Sequence, residues 1–238
     1  MSMTQIVLSL DTWPALRDIA SGDRSELGAA AALAELAGVD VLRLSINEDL
    51  APVREADVAE LRRAARFFEL RMPVSQNLLK IPLEARPDRV VLVGERHEAN
   101  GAAPPVDARV AGAALGVVLR SLEEAGIAVS VRITPEVDAI RAVHAQGVSD
   151  VELFTGYLVD LPEAERRGAL VMLGDTARLA SKLRLGLSVA GGLDERNVAE
   201  VLEAAPAIDR VVFGRGLARR ALLVGLDRAV RDFGNRMS

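Results

Sequence analysis

Short apolar runs rich in Val, Ile and Leu alternate along this chain with longer stretches whose apolar residues recur every three to four positions. The first pattern matches buried strands, the second amphipathic helices. Strands are expected at 6–11, 41–46, 70–75, 89–94, 128–134, 150–156, 185–190 and 210–214. Helical periodicity covers 25–37, 55–68, 78–85, 107–125, 136–146, 162–183, 194–204 and 217–234. Several helices stop at a glycine just before the next strand, as in "AGVD", "AGIA" and "QGVSD". Glycine accepts the left-handed conformation that closes a helix. Eight strand-then-helix units in 238 residues predict an α/β protein whose parallel sheet closes as a (β/α)8 TIM barrel, one domain spanning 1–238. A doubly wound open sheet is the alternative. The polar, Pro/Gly-rich connection "HEANGAAPPVD" at 97–107 reads as a lid.

In such a barrel, functional groups gather at the C-terminal ends of the strands, and the turns after strands seven and eight commonly hold phosphate. "SVAGGLDERNV" (188–198) and "RVVFGRGLARR" (210–220) fall at those two turns, each glycine pair leading towards a helix. Glycine lets backbone approach an anion closely, and the first amides of a helix carry the positive end of its dipole. Gly191, Gly192, Gly214 and Gly216 are therefore expected to line a phosphate site, with Arg215 adding charge. The plainer reading is that they are only tight strand-to-helix turns.

The remaining strand ends bring Asp11, Ser45, Asn47, Glu48, Asp49, Ser75, Arg96, Arg132, Glu152 and Thr155 to the same mouth, with Arg17 in the loop after the first strand. Glu152, in "DVELFTG", would be costly against the helices, so it is expected inside the barrel with a cationic partner. Arg132 is the neighbour, and the pair either orients a substrate or is a buried structural ion pair. Asp11 is either a base or ligand anchor, or a cap for the following turn.

Composition removes several function classes. The 34 acidic against 29 basic residues give a net charge of −5, which argues against a nucleic-acid or anionic-membrane surface. With no cysteine there is neither a disulfide nor a thiolate metal site. His97 and His144 lack the company a metal site needs. Neither Lys80 nor Lys182 falls on a strand, which leaves no evident Schiff-base lysine. The N-terminus lacks a secretion pattern, and no apolar run reaches the roughly 18–20 residues of a membrane span. A soluble, cytoplasmic protein is expected.

The segments "LSLDTWPALRD", "AAALAELAGVDVLRLSINEDLAPVREADVAELR", "RPDRVVLVGER", "SLEEAGIAVSV", "VELFTGYLVD", "LGLSVAGGLDERNV" and "GLDRAV" resemble, in order and spacing, the pyridoxine 5'-phosphate synthase family. The resemblance runs from about residue 6 to residue 232. It implies a (β/α)8 enzyme that joins deoxyxylulose phosphate to an aminoketone phosphate, releasing water and inorganic phosphate. It also implies no metal or organic cofactor, and assembly as a homo-oligomer.

Carried over residue by residue, the resemblance is partial. The family's first motif, Asn-x-Asp-His followed by arginine, stands here as Ser9, Asp11, Thr12 and Arg17. Its His-x-Arg-Glu-Asp after strand two is Ser45, Asn47, Glu48, Asp49, without the histidine and the phosphate-binding arginine. The glutamate after strand three falls at Ser75, and Gly-His-Gly after strand seven is Ala190, Gly191, Gly192. Gly-His after strand eight is Gly214 and Arg215. Arg132 stands for an aromatic residue on strand five and Phe154 for a histidine on strand six, while Glu152, Thr155 and Gly156 match.

Positioned acid/base groups contribute on the order of 10²–10⁴-fold each, and serine or glycine does not replace histidine or glutamate. The favoured reading is a diverged enzyme acting on a phosphorylated small molecule. Asp11, Glu48, Asp49 and Glu152 are its candidate acid/base groups. Arg17, Ser45, Asn47, Arg132, Thr155, the four glycines and Arg215 are its ligand-binding set. A non-catalytic member that binds a phosphorylated metabolite or supports a partner is the alternative. Retained pyridoxine 5'-phosphate synthesis is the third.

Overall fold

The computed structural model describes residues 4–16, 26–95, 103–159 and 161–237. Eight strands, β1 (Gln5–Ser9), β2 (Val41–Ser45), β3 (Phe68–Pro73), β4 (Arg89–Val93), β5 (Ala128–Ile133), β6 (Asp150–Phe154), β7 (Gly186–Ala190) and β8 (Arg210–Phe213), pair in chain order. All pairs are parallel, and β8 returns to β1 through Gln5↔Arg210 and Leu8↔Phe213. The sheet is a closed barrel, not the open sheet kept as the alternative.

The helices are α1 (Thr12–Leu16), α2 (Leu27–Ala37), α3 (Glu55–Ala64), α4 (Lys80–Ala85), α5 (Gly112–Glu124), α6 (Val137–His144), α7 (Glu163–Lys182), α8 (Val198–Ala204), α9 (Arg215–Val224) and α10 (Leu226–Met237). A 3-10 turn follows β6 at Gly156–Val159. Gly38 closes α2 at φ 111°, its amide and that of Val39 returning to carbonyls of the last turn. Gly126 and Gly147 do the same after α5 and α6, at φ 73° and 86°.

Alternate strand residues pack outward beneath the helices and form the main core. Leu8, Leu44, Phe68, Met72, Leu92, Val131, Leu153, Val189 and Phe213 are all fully buried in it. Phe213 meets Phe233 of α10 edge-on, with centroids 4.7 Å apart. At the opposite end from the mouth, Asp40, Asp88 and Asp209 each precede an even strand. They accept amides at the starts of the preceding odd strands, from Ile6, Phe68 and Leu187, each at 2.8 Å. Those carboxylates satisfy donors that the parallel ladder leaves open and help to set its register.

Several boundaries differ from the sequence reading; the helix expected from 107, for one, starts at Gly112. Residues 217–234 form two helices, because Gly225 at φ 85° breaks the run. The helix expected from 194 starts at Val198. The helix expected to run to 68 stops at Ala64, where Ala65 turns extended, and β3 begins at Phe68. No helix among the described residues is long and apolar enough to cross a membrane.

Candidate functional site

Barrel interiors of this architecture are usually filled by branched apolar side chains. Here the inward-facing set includes Arg43, Glu69, Arg71, Arg89, Arg132, Asp150, Glu152 and Arg210. Apolar filling includes a small cluster of Val7, Val41, Ala190 and Val212, together with Val91 and Val93 of β4. The charges lie in tiers. Lowest, Arg89 Nη1 donates to Glu69 Oε1 at 2.6 Å, and Arg210 donates to Asp150. Gly186 leaves the room that the Asp150 carboxylate occupies. The Arg89 guanidinium also stacks over Phe67, 5.6 Å from its centroid.

In the middle tier Arg43 bridges two carboxylates. Its Nε and Nη2 donate to Glu69 Oε2 at 3.0 and 2.6 Å, and its Nη1 donates to Glu152 Oε2 at 2.6 Å. Arg132 takes the other oxygen of Glu152, with Nε and Nη2 at 2.8 and 2.7 Å from Oε1. Its Nη1 donates to the Ala103 carbonyl at 2.8 Å, and the Phe154 ring lies 5.5 Å from its guanidinium. Burial pushes the Glu152 carboxyl up, but the charges and hydrogen bonds of Arg43 and Arg132 outweigh it and hold the pKa at about 2. Burial likewise works against the Arg43 charge, and the two glutamates more than restore it.

At the rim, Asp11 is gripped by its neighbours. The Ser45 amide donates to Oδ1 at 2.7 Å, and the Ser45 and Ser9 hydroxyls donate to Oδ2 at 2.7 Å each. Arg71, from β3, reaches the same Oδ2 with Nη2 at 3.4 Å. Burial, then the charges of Arg132 and Arg43, pull the Arg71 pKa down to about 10 despite Asp11.

The other expected residues spread around this centre. Glu48 and Asp49 are exposed on the turn after β2, where Asp49 Oδ1 accepts the Ala51 amide at 3.1 Å and Asn47 Nδ2 donates to the Ala51 carbonyl at 3.2 Å. Ser75 is buried beyond β3. Thr155 ties the β6 and β7 turns together, its hydroxyl donating to the Gly191 carbonyl at 2.7 Å. Arg17, Arg96 and His97 lie outside the described residues, as does most of the expected lid. Its described end, 103–107, is fastened to the barrel: the Gly94 amide donates to the Pro104 carbonyl, and the Val106 amide to that of Arg132.

The two glycine turns differ from the expectation and from each other. Gly191 and Gly192, at φ 115° and 66°, do not open a helix. Residues 193–197 form side-chain-capped turns instead, because Asn197 Oδ1 takes the Asp194 amide and its Nδ2 donates to the Gly192 carbonyl, both at 2.9 Å. A Cβ on Gly191 would press on the Phe154 ring and the Gly156 amide nitrogen, each at 2.8 Å, so close packing as well as backbone conformation requires that glycine. Gly214 does stand at a helix start, with α9 beginning at the exposed Arg215. A Cβ on Gly216 would lie 2.7 Å from the Leu193 carbonyl oxygen, so the two turns abut. Arg196 and Arg219 flank the junction, both reaching Asp194, at 2.9 and 3.4 Å.

Arg43, Glu69, Arg71, Asp150 and Arg210 were not among the expected site residues. The signal was present: each is a charged residue at inward parity within an otherwise apolar strand, as in "VLRLS" and "FELRMP".

Fold and site together define a (β/α)8 barrel with a charge-paired interior and two abutting glycine turns at its mouth. The family described as pyridoxal phosphate biosynthesis protein PdxJ matches residues 6–238, and the chain belongs to that family. It is 31% identical over 232 residues to pyridoxine 5'-phosphate synthase of Geobacter metallireducens, covering 97% of each chain. It is 32% identical, with the same coverage, to the enzyme of that name from Citrifermentans bemidjiense. Among solved structures, KGPDC of Streptococcus mutans matches with a TM-score of 0.66 and 13% identity, covering 99% of this chain and 98% of that one. Phosphoribosyl anthranilate isomerase of Thermus thermophilus matches at 0.60 and 17%, covering 98% of each. These two similarities concern the fold alone.

Proposed function

We propose that this protein binds a phosphorylated small metabolite at the C-terminal mouth of its barrel and acts on it by chemistry other than the pyridoxine 5'-phosphate synthesis named for its relatives. The observation that carries this reading is the clamp on Glu152 between Arg43 and Arg132. A proton shuttle works best with a pKa near the operating pH, and Glu152 is held at about 2. No imidazole lies at the mouth among the described residues, where His144 is the only histidine and sits exposed at the end of α6. Ser45, Ser75 and Gly191 stand where the family's acid/base groups were expected.

In this reading the amides at the start of α9 and the Arg215 guanidinium take the phosphate, with Gly192 and Gly214 leaving space for it. Arg132 and Glu152 shape the floor. Asp11, backed by Ser45, together with Glu48 and Asp49 supplies the groups that handle protons. Asn47 completes the ligand-facing set, and Thr155 holds the Gly191 turn in place. Titration calorimetry with glycerol 3-phosphate tests the phosphate assignment: wild type should bind, and Arg215→Ala should bind about tenfold to a hundredfold more weakly, the scale of one charge-assisted hydrogen bond. Unchanged affinity in the variant would remove the assignment.

A further inference from the structure

Among the inward-facing arginines, Arg71 is the one whose unused donors reach solvent, whereas the unpartnered Nε of Arg89 and of Arg210 are sealed in the interior. Arg43 and Arg132 each engage all three guanidinium nitrogens. Arg71 makes one long contact, Nη2 to Asp11 Oδ2 at 3.4 Å, and its side chain keeps 20% of its surface accessible. Its Nε and Nη1 have no partner among the described residues and are not sealed from solvent. The Asp11 oxygen it approaches is already taken by two serine hydroxyls.

The charge balance points the same way. The lower tier is neutral, with Arg89 and Arg210 against Glu69 and Asp150. Above it, Arg43, which also pairs with Glu69, joins Arg71 and Arg132 against Glu152 and Asp11, so that five arginines meet four carboxylates in all and one positive charge is left in excess. Burial lowers the Arg71 pKa most, and repulsion by Arg132 and Arg43 adds to it.

We propose that Arg71 is the docking group for a carboxylate, so that the metabolite bound by this barrel carries a phosphate at one end and a carboxylate at the other. The proposal rests on the phosphate reading above for its first half only. A carboxylate fits the surplus of one charge and the planar fork of a guanidinium. A second phosphate, nearly a dianion, would be repelled by the adjoining Asp11. The spacing suits one small molecule. A Cβ on Gly214 would lie 3.7 Å from Ser9 Cβ, and the Ser9 hydroxyl donates to Asp11, which contacts Arg71. From β8 through β1 and β2 to β3 is three strand intervals, about 14 Å along the wall and less across the mouth.

The test compares 3-phosphoglycerate with glycerol 3-phosphate by titration calorimetry, in wild type, Arg71→Gln and Arg71→Lys. Wild type should prefer the carboxylated probe by about tenfold or more. Arg71→Gln should bring that preference close to one while leaving glycerol 3-phosphate affinity unchanged, and Arg71→Lys, which keeps the charge but loses the fork, should fall between. A preference that is absent in wild type, or that survives in Arg71→Gln, overturns the proposal. If wild type binds neither phosphorylated probe, the phosphate reading has failed, and malonate then tests Arg71 alone. Malonate binding lost in Arg71→Gln sustains the carboxylate assignment, and binding that is absent or indifferent to the variant ends it. Arg71→Lys carries the comparison should the glutamine variant not fold.

Discussion

Arg43 of β2 and Glu152 of β6 meet inside the barrel, Nη1 to Oε2 at 2.6 Å, although 109 residues separate them in the chain. Both are buried, and Glu152 is wholly so. A buried ion pair is weak evidence for stability as such, because desolvation offsets much of its attraction. Breaking one from a single side is different, since it strands the opposite charge. The interior therefore tolerates these residues only as a set.

Replacing Glu152 by glutamine leaves Arg43 and Arg132 facing each other without a shared anion. Unfolding in urea should show a loss of about 3–5 kcal/mol. A loss below about 1 kcal/mol would mean that water or a rearranged Glu69 compensates.

The same carboxylate sets an acid limb on stability. Its folded pKa, about 2, lies below the ordinary 4.5, so the unfolded chain binds the proton more readily. The stabilisation is fully present above about pH 4.5 and drains away as pH falls towards 2. Urea midpoints measured across that window should decline in wild type and decline less steeply in Glu152→Gln. Parallel slopes would move the acid sensitivity to other groups.

Two glycine substitutions should act in opposite directions. Gly191→Ala meets both a φ of 115° and the Phe154 ring, and should lower stability by about 1–3 kcal/mol. Gly168→Ala, in the exposed middle of α7 with nothing near its Cβ, should raise it by about 0.4–1 kcal/mol. Thermal melts of the two variants side by side check the contrast.

Leu36 of α2 and Leu222 and Leu223 of α9 are 78%, 75% and 77% exposed, on two helices that both pack against α10. Burial of such surface between copies would make the chain a dimer or larger. Light scattering at micromolar concentration should report that mass, and Leu222→Glu with Leu223→Glu should reduce it. A monomeric wild type would contradict this.

Much of the barrel could be read from the chain because its strands are apolar on the outward face and its helices end at Gly38, Gly126 and Gly147. The inward position of Glu152 followed from the cost of placing a carboxylate against the helices. The same reasoning at Arg43, Glu69 and Arg71 exposes the charged interior, but these residues lie two to four positions before their strand ends, away from the turns where barrel chemistry is expected. The late start of α8 was not legible, because Asp194 and Asn197 mimic a helix start while their side chains hold turns. The break at Gly225, which the single helix read over 217–234 missed, did carry a signal, since "VGLD" places a glycine directly before a fresh amphipathic run.

The altered chemistry is tested most directly by supplying the purified protein with deoxyxylulose phosphate and the aminoketone phosphate, and quantifying pyridoxine 5'-phosphate by mass spectrometry. The expected result is no product above the protein-free rate, while glycerol 3-phosphate still binds in an Arg215-dependent way. Sustained turnover to pyridoxine 5'-phosphate would contradict it, and would mean that the clamped Glu152 and the serines at 45 and 75 support the family's reaction after all.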